Sequence, residues 1–132
     1  MVFDTQCWLW WFASPERLNP KAVAAIADDA NELWLSAASV WEIGIKTAIG
    51  KLTLPEPVDR YIAVRVQQLG AASLEITATH ALRAAALPMH HKDPFDRMLI
   101  AQAQAEDMTI VSADNALREY DDLSLLWASA SI

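Results

Sequence analysis

The sequence has a single cysteine, Cys7, so it holds neither an internal disulfide nor a second thiol for a zinc site. That excludes the disulfide scaffolds of small secreted domains and fits a reducing compartment. Thiol chemistry is not the expected function. Long hydrophobic runs are also missing: the longest stretch without an acidic or basic side chain, residues 5–15, has 11 residues, whereas a membrane-spanning helix needs about 20 apolar ones. No Lys or Arg precedes Arg17, and Asp4 stands where an export signal is basic. The expected location is therefore the cytoplasm, with no membrane partner. Repeats, low-complexity tracts and interdomain linkers are absent; Pro55-Glu56-Pro57 reads as a stiff turn.

Positive charge is scarce. Ten Lys and Arg face 17 Asp and Glu, a net charge of −7, which argues against an unaided grip on a phosphate backbone. The imbalance is uneven, because residues 46–97 carry seven basic and five acidic side chains while the remainder is −9. A nucleic-acid partner stays open if a local basic face and a bound cation offset the overall sign.

What is present is enough for one core. At 132 residues and 54% hydrophobic, the chain reads as a single domain, 1–132, that buries roughly two-thirds of its unfolded surface. Five short apolar runs, 1–5, 32–36, 72–76, 108–112 and 123–127, are candidate strands. Helix-like segments lie between them. Asn19-Pro20 opens one, Ser36 opens 37–49 before Gly50, and Pro57 opens 58–69 before Gly70. Thr77 precedes 78–87, and Asp93-Pro94 starts 95–107. Strands alternating with helices imply an α/β fold with a doubly wound, mostly parallel sheet.

The carboxylates carry the chemical signal. Asp4 falls at the carboxyl end of the first candidate strand and Asp114 just after the fourth, where open parallel sheets bind ligands. Glu42 sits among Val40, Trp41, Ile43 and Ile45 in a helical stretch, where an acid needs a partner. Asp93 and Asp96, three apart, share a helix face. Converging anions raise one another's pKa and are held ionised by a hard divalent cation such as Mg2+ or Mn2+. Each of Asp93, Asp96 and Asp114 also has a folding role open to it, as an N-cap, a first-turn acid and a turn residue. For Asp4 and Glu42 no such role is expected.

Four blocks, VFDTQCWLWW, SAASVWEIGIKTAIGKLTLP, HHKDPFDRMLIAQA and TIVSADNAL, resemble a PIN domain of the VapC toxin type across nearly the whole chain. The resemblance implies a three-layer α/β/α sandwich around a five-stranded parallel sheet. It also implies a Mg2+-dependent endoribonuclease, active as a homodimer on RNA and neutralised by a VapB-like antitoxin. By motif, the metal-binding catalytic acids are Asp4, Glu42, Asp96 and Asp114, with Asp93 secondary. Relatives often carry His where this chain has Gln6.

Around that set, Thr5 and Ser112 are candidates to orient the acids by hydrogen bonds. Arg97, Lys92 and Lys46 border the acidic motifs and are candidates for RNA phosphate. His80, His90 and His91 lack zinc-site spacing, and His90-His91 reads as an exposed loop able to touch RNA. Trp8 and Trp11, three apart, fall on one helical face and are expected to bury against the sheet or a second subunit. Two other functions stay open: a Mg2+-binding signalling receiver, disfavoured because Asp4 stands alone after the first strand, and a catalytically silent binding module.

Overall fold

Strand alternation decides where the two cores of this computed structural model lie; it describes residues 1–90 and 92–131. In chain order the elements are β1 (Val2–Phe3), α1 (Thr5–Ala13), a 3-10 turn (Pro15–Arg17), α2 (Pro20–Ala27), β2 (Trp34–Ser36), α3 (Ala37–Ala48), α4 (Val58–Leu69), β3 (Ala72–Leu74), α5 (Ala78–Ala86), α6 (Pro94–Ala105), β4 (Ile110–Ser112), a second 3-10 turn (Asn115–Glu119) and β5 (Leu125–Trp127). The five strands form one sheet, all parallel, in the order β3-β2-β1-β4-β5. Val2 lies opposite both Trp34 and Ile110, and Ile110 opposite Leu125. Side chains alternate along a strand, so this register sorts residues by face. Val2 and Ile110 pack with Leu99 and Ile100 of α6, whereas Phe3, Leu35 and Val111 pack with Trp8 of α1, Ile26 of α2 and Ile43 of α3. The result is the three-layer α/β/α sandwich.

The expected helix starts are observed. Asn19 Oδ1 accepts from Ala22 N at 2.8 Å, Ser36 Oγ accepts from Ala38 N at 3.0 Å, and Thr77 forms a reciprocal cap with His80. Gly70 ends α4 in the left-handed region, φ 71°, which suits a residue without Cβ. One boundary moves. The first apolar run stops being strand at Phe3, and Thr5 already begins a helix. That helix showed no amphipathic period because it is covered on several sides: Cys7 and Trp8 are fully buried, and Leu9 to Phe12 are half-buried. Trp8 meets Phe3 and Phe12 edge-on at ring distances of 5.5 and 5.1 Å, so it buries against the sheet as expected, while Trp11 is only half-buried. Among the described residues, no helix is long and apolar enough to cross a membrane.

Candidate active site

The chain moves outward from β1 to β2 to β3, then returns to place β4 on the other side of β1. Strand order therefore reverses between β1 and β4. At such a switch point the connections leave toward opposite faces and open a crevice at the carboxyl ends of the strands. Asp4 follows β1 and Asp114 follows β4, so both stand at that crevice. A cavity of about 250 Å³ opens there, and Asp4, Glu42, Asp93, Asp96 and Asp114 all line it, with Thr5, Gln6, Leu9, Trp10, Lys46 and Ala113. The five acids singled out in the sequence thus come from four separate segments into one space. The order also differs from the 2-1-3-4-5 order of receiver-like folds.

Asp4 is 7% exposed, and both of its oxygens are engaged. Oδ1 accepts from Cys7 N at 2.7 Å, and Oδ2 accepts from the Ser112 hydroxyl at 2.5 Å. Burial pushes this carboxyl above its ordinary range, and the bonds from Ser112 and Cys7 pull the other way. The expectation that Asp4 has no folding role is corrected: it is the N-cap of α1, bonding an amide that the helix leaves free. Burial, with the Asp4 charge adding to it, also drives the Cys7 thiol upward and keeps it protonated.

Ser112 does more than bond Asp4. Its Oγ accepts from Asp114 N at 3.0 Å, joining the acid after β1 to the backbone of the acid after β4. Asp114 Oδ1 accepts from Ala116 N at 3.0 Å and caps the second 3-10 turn. Asp93 Oδ1 accepts from Phe95 N at 2.9 Å and Asp96 N at 3.3 Å, capping α6 and holding the backbone that presents Asp96. Asp4 and Asp93 are therefore site residues in position and helix caps in bonding. The positive ends of α1 and α6 lie beside the acids and offset part of their charge.

Glu42 is 5% exposed on α3 and has the partners its apolar setting demanded. Thr5 Oγ1 donates to Oε1 at 2.6 Å, Lys46 Nζ donates to Oε2 at 2.7 Å, and Ser39 Oγ stands 3.0 Å from Thr5 Oγ1. The hydrogen bond to Glu42 raises the Lys46 pKa, with the charges of Glu42, Asp93 and Asp96 adding to it against burial.

The basic residues fare differently from one another. Lys46 lines the cavity but is bonded to Glu42. Arg97 donates to the carbonyls of Ala84, Leu87 and Pro88 at 2.9, 2.9 and 3.0 Å, clamping the end of α5 to the start of α6. Lys92 is exposed before α6, and His90 is exposed and edge-on to Tyr120 at 5.0 Å. His91 lies outside the described residues. Two residues at the site lie beyond the sequence expectations: Ser39, whose signal is its three-residue spacing before Glu42, and Leu9, an apolar member of α1 that lines the cavity.

The donor set is all oxygen, which fits a hard divalent cation. Among the described residues no three carboxylate, imidazole or thiol groups already stand in ligating arrangement, oxygens of Asp4 and Glu42 being engaged by Ser112, Cys7, Thr5 and Lys46.

Fold and cavity together define a doubly wound α/β protein with an acidic centre at the carboxyl edge of its sheet. The chain belongs to the PIN domain family, whose model matches residues 1–123. It is 32% identical over 123 residues to Ribonuclease VapC22 of Mycobacterium tuberculosis, covering 91% of each chain. A second relative in that organism, Ribonuclease VapC16, is 40% identical over 57 residues, 43% of this chain and 40% of the relative. The fold also matches the crystal structure of VapBC2 from Rickettsia felis bound to a promoter DNA fragment, with TM-score 0.72, 13% identity and coverage of 98% of this chain and 100% of that one.

Proposed function

We propose that this protein is a Mg2+-dependent endoribonuclease toxin, with Mn2+ as an alternative ion, held in check by a VapB-like antitoxin. The observation that carries the reading is the convergence of Asp4, Glu42, Asp93, Asp96 and Asp114 on one cavity, in a chain 32% identical to a VapC ribonuclease across 91% of its length. Asp4, Glu42, Asp96 and Asp114 hold the cation, and Asp93 caps α6 so that Asp96 faces the same cavity. When bound, such an ion polarises a phosphoryl oxygen and lowers the pKa of its water. Thr5 and Ser112 fix the rotamers of Glu42 and Asp4 through their hydroxyls. Lys92 and Lys46 are the basic groups proposed to meet RNA phosphate; Arg97, bonded to three carbonyls, contributes chiefly by anchoring the loop before α6.

The antitoxin covers the acids and sets a basic side chain among them, since an Arg fork satisfies the same oxygens as a cation. A homodimer is part of this reading. The test is cleavage of structured RNA by purified protein with Mg2+, with excess EDTA, and with Asp4→Asn. Cleavage only by the wild type with metal supports the reading. Undiminished cleavage in EDTA overturns the metal mechanism, and wild-type rates from Asp4→Asn remove Asp4 from the site.

A further inference from the structure

Five carboxylates confined to one cavity of about 250 Å³ repel one another. In the metal-free chain something must offset them. Among the described residues, Lys46 brings the only Lys or Arg side chain to line that cavity. Its Nζ lies 2.7 Å from Glu42 Oε2, one turn back on α3. An ordinary i, i+4 pair on an exposed helix answers to its own helix alone. Here Asp93 and Asp96, carried at the start of α6, line the same cavity as the Lys46 side chain. Its partner Glu42 is buried, while the lysine side chain remains 45% exposed and free to move outward along its four-carbon stem.

We propose that Lys46 is the cavity's resident counter-ion, stabilising the gathered carboxylates in the metal-free chain and competing with a divalent cation for Glu42. This rests on the metal-dependent reading above. It gives the lysine a role other than phosphate contact. The folded chain then tolerates a site without metal, and its affinity for the ion is moderated, because Glu42 becomes a ligand only by releasing Lys46.

Three proteins separate this from a plain helix pair: the wild type, Lys46→Met, which keeps the apolar stem and loses the charge, and Lys46→Arg, which keeps the charge. Thermal midpoints are measured in EDTA and in excess Mg2+, and Mn2+ affinity by titration calorimetry. Lys46→Met is expected to lower the midpoint in EDTA by about 2–5 °C, to regain most of it in Mg2+, and to bind Mn2+ about threefold to tenfold tighter. Lys46→Arg should follow the wild type. If Lys46→Met loses the same midpoint with and without Mg2+, Lys46 is only a helix pair and the proposal falls. Weaker Mn2+ binding by Lys46→Met also overturns it, since Lys46 would then be helping Glu42 to ligate. A wild type indifferent to both ions overturns the metal reading itself and this inference with it, whereas a responsive wild type with an equally responsive Lys46→Met overturns the inference alone.

Discussion

At the carboxyl edge of the sheet, acids from four segments share a cavity and are relieved by Lys46, hydroxyls and helix termini. Between β2, α5 and α6 a second set of buried polar groups is wired by complement. Ser36 Oγ donates to Gln102 Oε1 at 2.5 Å, Gln102 Nε2 donates to Glu75 O at 3.2 Å, and His80 stands 2.8 Å from Glu106. His80 Nδ1 accepts from Thr77 N, so its proton sits on Nε2 and points at Glu106. There every donor meets an acceptor, and the fold gains by it. In the cavity acids of one sign crowd together, so what the caps at Asp4, Asp93 and Asp114 contribute to the fold is set against mutual repulsion. A buried polar network that is self-satisfied marks structure; one that concentrates a single sign marks a site awaiting a partner.

Substitutions at the two places should therefore fail in opposite ways. The largest effect is expected from Asp96→Asn, which should lower RNA cleavage at fixed Mg2+ by about 100-fold or more while leaving the thermal midpoint unchanged or raised. An active Asp96→Asn would remove it from the ligand set. Thr5→Val deletes the hydroxyl on Glu42 at almost constant volume, and cleavage should fall about tenfold, within the usual range for a group that orients a ligand. Wild-type rates from that variant would mean that packing alone holds Glu42.

On the other side, Gln102→Leu leaves Ser36 Oγ and the Glu75 carbonyl short of a partner. Urea unfolding should show a loss of about 1–3 kcal/mol, with the cleavage rate per folded molecule kept. A loss of rate at full stability would blur the distinction between the two regions. The smallest change is expected from Asp93→Asn, since Asn caps a helix about as well as Asp, and stability should shift by only a few tenths of a kcal/mol with activity largely retained. Cleavage lost as severely as in Asp96→Asn would make Asp93 a member of the site in its own right.

Much of this was open to reading in order of residues. The helix starts at Asn19, Ser36, Thr77 and Asp93 follow from caps whose side chains bond amides two or three residues on, and such bonds are local. The strands 34–36, 72–74, 110–112 and 125–127 fall within the apolar runs but are shorter, because strand ends are set by ladder bonds to neighbours elsewhere in the chain. Of the helix Thr5–Ala13 only the face shared by Trp8 and Trp11 is legible in the sequence, without its bounds, because a segment covered on several sides shows little period.

By itself the sequence determined which residue types were available: hard oxygen ligands, one isolated thiol, strands and helices in alternation. The four-block PIN resemblance added which acids to join. Only the tertiary structure decided that Asp4 bonds Ser112 across 108 positions of chain, that Thr5 bonds Glu42, and that Arg97 closes a loop. Local hydrogen bonds are written in short spacings. The meeting of distant side chains depends on strand order and register, and those follow from how two apolar faces are buried at once.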